Sequence, residues 1–295
     1  MNGRKTGFLG LGTMGRPMAG RLLDAGVELR VFDVADDAAR HFTARGTVAA
    51  ATPAELGGWA DLLILMVPHP DSLRQCLIGP DGAIHTLKPG SIVIDMSTSG
   101  PAVVQECGRQ LAKRGIEMID APVGKGPAAA VKGDLTILMG GNRETCEAVE
   151  WLLRKLGSEL LYCGPLGSGQ VVKLVNNMVS CANAAVLAEA YALAKKAGVD
   201  VSVLTRLMPG TAADSWQLRN TVMAKALSGD FSPAFKLALA RKDMRLALEM
   251  AEYLGVASNC TNSALEWYDR AAAAGLGELD RAALLLLADP ELGRN

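Results

Sequence analysis

The 295-residue sequence predicts an α/β fold in which a doubly wound parallel sheet is followed by an all-α domain. Three observations support this prediction. Short apolar runs alternate with amphipathic helical patterns up to about residue 163. A glycine-rich segment joins the first apolar run to the first helical pattern. Beyond residue 169 a long helical pattern begins, and no convincing strand follows it.

The predicted strands are nearly unbroken apolar runs, as expected for a sheet that helices cover on both faces. They are Thr6–Gly10, Glu28–Asp33, Asp61–Val67, Ser91–Asp95, Glu117–Asp120, Leu135–Met139 and Glu159–Cys163. Amphipathic patterns such as Pro101–Arg114 and Arg143–Leu156 predict the helices that connect them. This alternation of strands and helices is typical of a parallel sheet.

The first strand leads into a glycine fingerprint that is typical of dinucleotide binding, and a helix over Arg16–Ala25 follows it. Gly10 permits a tight turn, Gly12 lets backbone N–H groups approach a pyrophosphate, and Gly15 lets the helix pack closely. The helix N-terminus then offers N–H groups and a positive dipole end to the phosphates. A glycine-rich turn without a ligand is the alternative. The predicted cofactor contacts in this loop are Gly10, Gly12, Thr13, Met14 and Gly15.

Asp33 ends the second predicted strand and indicates which dinucleotide binds. A carboxylate there can accept hydrogen bonds from both adenosine ribose hydroxyls, and it would repel a 2′-phosphate. The following Val34-Ala35-Asp36-Asp37 contains no Arg or Lys to receive such a phosphate. The sequence therefore favours NAD(H) over NADP(H). The competing interpretation is that Asp33 caps the next helix, since Asp is a good N-cap.

The segment 164–169 separates two predicted domains, a Rossmann-type NAD-binding domain at 1–164 and an all-helical substrate and dimerisation domain at 165–295. A long inter-domain helix is predicted from Gln170 to about Ala197. Four more helices are predicted within 210–285, with turns at 228–230 and 274–275. Their alanine-rich faces exceed what one small layer buries, so we expect a homodimer or homotetramer.

Composition and charge narrow the class of protein. The net charge of −1 and the pI of about 6.3 indicate neither a nucleic acid nor a membrane surface as partner. Neither a charged-then-apolar N-terminal segment nor an apolar run of 18 residues is present, which favours a cytoplasmic protein. The 6 cysteines are scattered and predict reduced, mostly buried thiols. The 3 histidines do not pair with them at ligand spacing, so no metal site is expected.

Ligands of open α/β sheets bind beyond the carboxyl ends of the strands, so the loops there are candidates. Val67 and Pro68 begin a proline-stiffened loop that can line the cofactor. Ser97 and Thr98 precede a helix, where capping competes with ligand contact as the interpretation. Lys125 is the one charge in the glycine- and proline-rich loop at 121–127 and suits an anionic substrate. A solvated loop lysine is the alternative.

The start of the long helix contains the most specific candidates for catalytic residues. Lys173 and Asn177 are four residues apart and therefore share a helix face, with apolar neighbours on either side. A lysine in apolar surroundings can act as a proton donor or acceptor. The alternative is a lysine that extends out of a core helix. The adjacent Asn176 and Asn177 favour a functional role, because Asn is a poor helix former.

These motifs together resemble the β-hydroxyacid dehydrogenase family, which includes 3-hydroxyisobutyrate dehydrogenase and tartronate semialdehyde reductase, over nearly the whole chain. The resemblance implies a helical domain like that of 6-phosphogluconate dehydrogenase. It implies that Lys173 is the catalytic lysine, that Asn177 helps to orient the substrate, and that Thr98 and Lys242 contact the cofactor. The motifs are Gly10–Ala19, Asp95-Met96-Ser97-Thr98, Asp120-Ala121-Pro122-Val123, Gly167-x-Gly169-x-x-x-Lys173-x-x-Asn176-Asn177 and Lys242-Asp243.

The loop after Asp-Ala-Pro-Val departs from the usual Ser-Gly-Gly of the family and instead contains Gly124-Lys125-Gly126. It is similar to the sulfolactaldehyde reductase branch, which has Pro-Val-Gly followed by a basic residue that meets the sulfonate. That branch has arginine where this chain has Lys125, and lysine keeps the charge without the bidentate fork. By this resemblance the substrate contacts are Ser97, Gly124, Lys125, Asn176, Asn177 and Ser180.

The sequence therefore predicts an NAD(H)-dependent oxidoreductase that interconverts a short anionic β-hydroxy acid, carboxylate or sulfonate, and its semialdehyde. Lys173 is expected to act as general acid in reduction and as general base in oxidation. Alternatives are a dehydrogenase for 3-hydroxyisobutyrate or a reductase for tartronate semialdehyde, an imine reductase of the same architecture, and a non-catalytic dinucleotide sensor. Imine reductases typically lack the lysine that is present here.

Overall fold

The computed structural model describes residues 3–35 and 37–292, so Asp36, one of the residues after the second predicted strand, lies outside the described part. The chain divides into two compact units between Lys173 and Leu174. The first unit contains the sheet. The second is helical in its described residues apart from one isolated bridge between Lys236 and Asp280.

The sheet has the strand order β3-β2-β1-β4-β5-β6-β8-β7, with β9 paired to β8. The part β3-β2-β1-β4-β5-β6 has the strand order of dinucleotide-binding sheets and is parallel throughout. The bounds are β1 (Thr6–Leu9), β2 (Leu29–Phe32), β3 (Val48–Ala49), β4 (Leu62–Leu65), β5 (Ile92–Asp95), β6 (Glu117–Asp120), β7 (Val123–Gly124), β8 (Leu135–Gly140) and β9 (Gly157–Gly164).

The prediction of a doubly wound sheet is confirmed, with two additions. β3 and β7 were not predicted, because two residues are too short to show a periodicity. The sheet is also not parallel throughout, since β8 runs antiparallel to β6 and β7. The predicted ends of the other strands agree with the structure to within two residues.

Helices cover both faces of this sheet. Their bounds are α1 (Gly15–Asp24), α2 (Arg40–Thr43), α3 (Pro53–Trp59), α4 (Pro70–Ile78), α5 (Pro101–Ala112), α6 (Pro127–Lys132) and α7 (Arg143–Leu153). Side chains alternate between the faces of a strand, so Ile64 of β4 packs in a cluster with Met18 of α1. Leu63 and Leu65 face the opposite cluster, which contains Val104 of α5. The unbroken apolar run of β4 thus contributes side chains to the hydrophobic cores on both faces of the sheet.

The remaining helices are α8 (Ser168–Lys196), α9 (Val201–Leu207), α10 (Leu237–Tyr253), α11 (Asn259–Ala273) and α12 (Leu284–Ala288). The long helix predicted from Gln170 is confirmed as α8. The prediction of four helices within 210–285 is wrong in detail. Only α10 and α11 are long, and the rest consists of short π and 3₁₀ segments and the start of α12. Pro209, Gly210, Gly229 and Pro233 interrupt the chain too often for longer helices.

By length and composition alone, α8 is able to cross a membrane, although the sequence showed no fully apolar run of that length. Core helices of other proteins share this property, and α8 supplies Cys181, Ala184, Leu187 and Ala188 to the core of the second unit. Of the free cysteines, Cys76, Cys107, Cys146 and Cys181 are buried, in agreement with the prediction. Burial raises the pKa of the Cys107 thiol to about 12.

Candidate functional site

The glycine loop after β1 has the shape that a pyrophosphate needs. Gly10 has a φ of +93°, a conformation that glycine adopts without strain, and a side chain there would meet the Met66 carbonyl. A Cβ on Gly15 would collide with the Gly10 carbonyl oxygen, so the close approach of α1 to β1 requires glycine. In contrast, a Cβ on Gly12 would meet no atom within 4 Å. Gly12 is therefore dispensable for packing and leaves backbone open on this side of the loop.

The N-terminus of α1 is suited to an anion. Its first turn contains no acidic residue, and the side chain of the N-cap residue Met14 makes no capping hydrogen bond. The positive end of the helix dipole is thus not offset by a carboxylate within the helix. Together with the glycine loop, these residues fit the phosphates of a dinucleotide.

Asp33 lies just after β2 and binds the glycine loop directly. Its Oδ2 accepts a hydrogen bond from Leu11 N at 2.6 Å, and its Oδ1 accepts one from Ala35 N at 2.8 Å. The next helix, α2, begins seven residues later and has Ala39 as its N-cap, so Asp33 does not cap it. Asp33 therefore fixes the fingerprint loop at the edge of the sheet where an adenosine ribose is expected.

The loop after β5 contains one partly accessible residue among buried ones. The Ser97 side chain is 1% exposed, and its hydroxyl accepts a hydrogen bond from Val67 N at 2.9 Å. The predicted substrate contact Ser97 is thus engaged in joining two loops. Ser99 is also buried, whereas Thr98 between them is half-buried. Pro68 is exposed next to Val67. Thr98 is therefore more accessible than its two serine neighbours.

Two buried carboxyls lie at the ends of neighbouring strands. Burial raises the pKa of Asp95 to about 7, although hydrogen bonds from Ser97 oppose the shift. Burial likewise raises the pKa of Asp120 to about 6, and the backbone N–H groups of Gly167 and Gln170 oppose it. Asp95 Oδ1 also accepts a hydrogen bond from Ser97 N at 3.0 Å. These carboxyls belong to the framework of the loops.

Lys125 has an unusual backbone for a lysine. Its φ of +66° makes it the one non-glycine residue in the left-handed region among the described residues. Its Nζ donates to Asp134 Oδ2 at 2.9 Å, and Asp134 also accepts a hydrogen bond from the Ser158 hydroxyl. The side chains of Lys125 and Asp134 are 43% and 50% exposed, so water screens this pair. Gly124 beside it is half-buried.

The turn of α8 with the predicted catalytic residues contains Lys173, which is half-buried, and Asn177, which is 7% exposed. Asn177 Nδ2 donates to Asp243 Oδ2 at 2.7 Å, and its Oδ1 accepts from Asn176 Nδ2 at 3.2 Å. Asp243 Oδ1 lies 3.1 Å from Lys242 Nζ. The Asn177 amide is thus held in one orientation, and the predicted cofactor contact Lys242 pairs with the carboxylate that holds it.

Ser180 lies about one further turn along α8 and takes part in a second polar cluster. Its hydroxyl oxygen is 2.6 Å from Gln217 Nε2 and 2.9 Å from Arg281 Nη1. The Arg281 guanidinium also lies over the rings of Trp216 and Phe235. Ser180 therefore presents its oxygen to two donors.

Sequence reasoning missed several residues that hold these side chains, namely Asp120, Asp134, Gln170, Gln217 and Arg281. Asp120 begins the Asp-Ala-Pro-Val motif, and Gln170 directly follows the glycine segment that ends at Gly169. Asp134, Gln217 and Arg281 stand in no motif, so no sequence signal identifies them. Among the described residues, no group of three or more His, Cys, Asp or Glu side chains could hold a metal ion.

Comparison with known proteins agrees with this geometry. Residues 5–164 match the family model described as the NAD binding domain of 6-phosphogluconate dehydrogenase. Residues 167–288 match the model for NAD-binding of NADP-dependent 3-hydroxyisobutyrate dehydrogenase. Two relatives and one solved structure illustrate the similarity, and each matches over nearly its whole length.

The chain is 40% identical to the 3-sulfolactaldehyde reductase of Escherichia coli, covering 94% of this chain and 93% of that one. It is 33% identical to the NAD-dependent L-serine dehydrogenase of Pseudomonas aeruginosa over 99% of this chain and 100% of the relative. The structure of Mycobacterium tuberculosis 3-hydroxyisobutyrate dehydrogenase with L-serine has a TM-score of 0.89 at 29% identity, covering 97% and 99% of the two chains.

Proposed function

Since the chain belongs to the β-hydroxyacid dehydrogenase family and is an NAD-dependent oxidoreductase, we propose that it interconverts a short anionic β-hydroxy acid and its semialdehyde. Sulfolactaldehyde is the favoured substrate type. The similarity to 3-sulfolactaldehyde reductase supports this choice, as does the basic residue Lys125 in the loop after β6. A carboxylate analogue such as 3-hydroxyisobutyrate or tartronate semialdehyde is the second candidate, favoured by the L-serine-bound neighbour.

The observation that carries the proposal is the turn of α8 that contains Lys173 and Asn177. The helix places both side chains on one face, and Asp243 fixes the Asn177 amide through a buried hydrogen bond. In reduction, bound NADH supplies the hydride to the aldehyde carbon. Lys173 Nζ then donates a proton to the oxygen that becomes the hydroxyl, and oxidation reverses this transfer. Asn177 orients that oxygen.

The shape of the glycine loop and the family resemblance together support a set of proposed cofactor contacts. We assign the pyrophosphate to Gly10–Gly15 and the ribose to Asp33. Val67 and Pro68 would line the cofactor, Thr98 would contact it from the loop after β5, and Lys242 would contact it from α10. Ser97 then acts by holding the Val67 backbone. A homodimer or homotetramer and a cytoplasmic location stay predictions.

The role of Lys173 is tested with Lys173→Met, which keeps the aliphatic bulk and removes the proton. We expect kcat for the best semialdehyde to fall at least about 100-fold, as is typical of losing a general acid. The thermal midpoint and NADH affinity should stay close to those of the native enzyme. Lys196→Met, at the exposed end of the same helix, is the matched control and should leave kcat unchanged. A fall of less than about tenfold in Lys173→Met would exclude Lys173 as the acid.

The head-group role of Lys125 is tested with matched sulfonate, carboxylate and uncharged aldehydes. A hydrogen bond to a charged group contributes about 1.5–3 kcal/mol. Lys125 is partly exposed, and it must break its ion pair with Asp134 to bind a substrate, so we expect the lower end of this energy range. Lys125→Ala should therefore lower kcat/KM for the acidic aldehydes roughly 10-fold. Lys125→Arg should be tolerated and favour the sulfonate, since its fork can pair two oxygens.

Two further variants separate recognition from loop shape. Asp134→Asn removes the competing carboxylate, so kcat/KM for the acidic aldehydes should rise. Lys88→Ala, at an exposed lysine in the loop before β5, is the control and should leave these values unchanged. If Lys125→Ala slows the uncharged aldehyde as much as the acids, then Lys125 shapes the loop and does not select the head group.

The other sequence-based alternatives have less support. The relatives that match over most of the chain are named dehydrogenases and reductases, which leaves no reason to favour a non-catalytic sensor. The similarity to an imine reductase from Pseudomonas sp. has a TM-score of 0.62 at 22% identity and concerns the fold alone. The substrate panel with a cyclic imine added tests this alternative directly.

A further inference from the structure

Gln170, in the first turn of α8, makes a concentrated set of contacts with the loop after β5. Its side chain is fully buried. Gln170 Nε2 donates to the Ser97 carbonyl at 2.9 Å, and its Oε1 accepts from Ser99 N at 3.0 Å and Gly100 N at 3.2 Å. These three hydrogen bonds fall on both sides of Thr98. One amide thus holds the backbone of the loop that presents Thr98.

The helix that carries Gln170 is itself fixed at its start by Asp120. This buried carboxylate accepts from Gly167 N at 2.6 Å and from Gln170 N at 2.7 Å. A Cβ on Gly169 would collide with the Leu138 carbonyl, so the first turn of α8 lies directly against β8. These contacts hold the start of α8 against the sheet, and Lys173 lies in the next turn of the same helix.

We propose that Gln170 is a positioning residue that couples the loop of Thr98 to the orientation of Lys173. Lys173 follows Gln170 by three residues in the same helix, so a displacement of the helix backbone at Gln170 also moves the Lys173 side chain. The same amide sets the Thr98 backbone. A shift of the cofactor-contacting loop is thereby a shift of the helix that carries the proton donor. This inference rests on the proposed roles of Thr98 and Lys173.

The chemistry of the side chain explains why glutamine suits this position. The loop presents one acceptor, the Ser97 carbonyl, and two donors, the N–H groups of Ser99 and Gly100. A primary amide matches that pattern with its NH₂ and its oxygen. Methionine keeps the length and loses all three hydrogen bonds. Glutamate keeps the shape but can donate to the Ser97 carbonyl only while it is protonated.

The experiment measures kcat, the KM for semialdehyde, the Kd for NADH and the thermal midpoint in Gln170→Met and Gln170→Glu. Gln105→Met is the matched control, because Gln105 Nε2 also bonds a backbone carbonyl next to α8, that of Leu166, but leaves the Thr98 loop untouched. We expect Gln170→Met to lower kcat about 10- to 100-fold and to weaken NADH binding, with a smaller change in KM for semialdehyde. Gln105→Met should keep the native kcat.

A double-mutant cycle with Thr98→Val tests the coupling itself. If the amide acts through the loop, Thr98→Val lowers kcat much less in the Gln170→Met background than in the native enzyme. Additive effects would overturn the inference, as would a native kcat in folded Gln170→Met. Lys173→Met is measured in parallel. Native activity in that variant refutes the proposed function, whereas a dead Lys173→Met beside an active Gln170→Met refutes only the positioning role.

Gln170→Glu keeps the inference testable even if Gln170→Met does not fold. We expect its kcat to fall with rising pH along a limb that is absent from the native profile, as the new carboxyl loses the proton it donates to Ser97. Circular dichroism at each pH must show a folded protein. A profile parallel to that of the native enzyme would contradict the proposal.

Discussion

Asp33 has a structural role in the glycine loop that the sequence pattern could not reveal. The pattern placed an acid at the end of a strand, and the structure shows its carboxylate bonded to Leu11 N within the fingerprint loop. The partner is 22 residues away, so the bond depends on the pairing of β1 with β2. The same limit applies to Ser97, whose hydroxyl pattern suggested a ligand contact but whose partner Val67 is 30 residues away.

We expect a higher kcat/KM with NADH than with NADPH, because the Asp33 carboxylate repels a 2′-phosphate. Asp33→Asn keeps an oxygen for the Leu11 N–H and removes the charge. It should narrow the preference for NADH at least about tenfold, since two unit charges about 4 Å apart interact by about 4 kcal/mol near a protein surface. Asp37→Ser is the control and should keep the preference. Equal efficiency with both cofactors in the native enzyme would show that Asp33 serves the loop alone.

At the scale of elements, the strands could be predicted where the chain is buried on both sides, because β4 is then apolar at every position and β5 is apolar at every position but its last, Asp95. The antiparallel direction of β8 could not be predicted, since an apolar run does not show in which direction its strand runs within the sheet. The short helical segments between Pro209 and Pro233 were also missed. Broad apolar character there predicted helices, but tertiary packing of interrupted turns decided their length.

Replacing glycine by alanine at three positions of the β1–α1 unit separates glycines needed for packing from glycines needed for binding. Gly15→Ala should destabilise the protein strongly, because its Cβ would collide with the Gly10 carbonyl. Gly12→Ala should leave the thermal midpoint near its native value and weaken NADH binding, since the space beside it is open until a pyrophosphate enters. Gly20→Ala in the same helix meets no atom within 4 Å and should stabilise by up to about 1 kcal/mol.

Thermal unfolding and NADH titration of the three variants check these expectations. The three positions lie within nine residues of one another, so differences in expression or local sequence do not explain divergent outcomes. Loss of stability in Gly12→Ala equal to that in Gly15→Ala would contradict the division between a packing glycine and a binding glycine.

At the scale of the whole molecule, the buried carboxyls make stability depend on pH. Burial raises the pKa of Asp95 to about 7 and that of Asp120 to about 6, above the ordinary value of 3.8. The folded state therefore holds these protons more tightly than the unfolded chain does. Their contribution to stability is fully present below about pH 4 and is lost as pH rises through about 6 to 7.

Asp95→Asn tests this dependence. Its amide cannot ionise, and its oxygen can still accept the hydrogen bond from Ser97 N. The gain in thermal midpoint over the native protein should therefore be larger at about pH 8 than at about pH 5. Asp200→Asn is the control. Hydrogen bonds from Ser202 lower the pKa of this exposed carboxyl, so its effect should be the same at both pH values. A pH-independent difference in Asp95→Asn would show that Asp95 is ionised throughout.

The left-handed backbone at Lys125 has a consequence for how such a site can arise. The usual loop of the family has glycine at this position, and here lysine occupies the conformation that glycine favours. In the genetic code, a single base change converts some glycine codons to arginine, and a further single change converts arginine to lysine. A cation can therefore enter this loop stepwise without rebuilding the backbone, at a conformational cost of about 1–3 kcal/mol. Changes in a single codon can therefore add a cation to a scaffold whose family already acts on hydroxy acids.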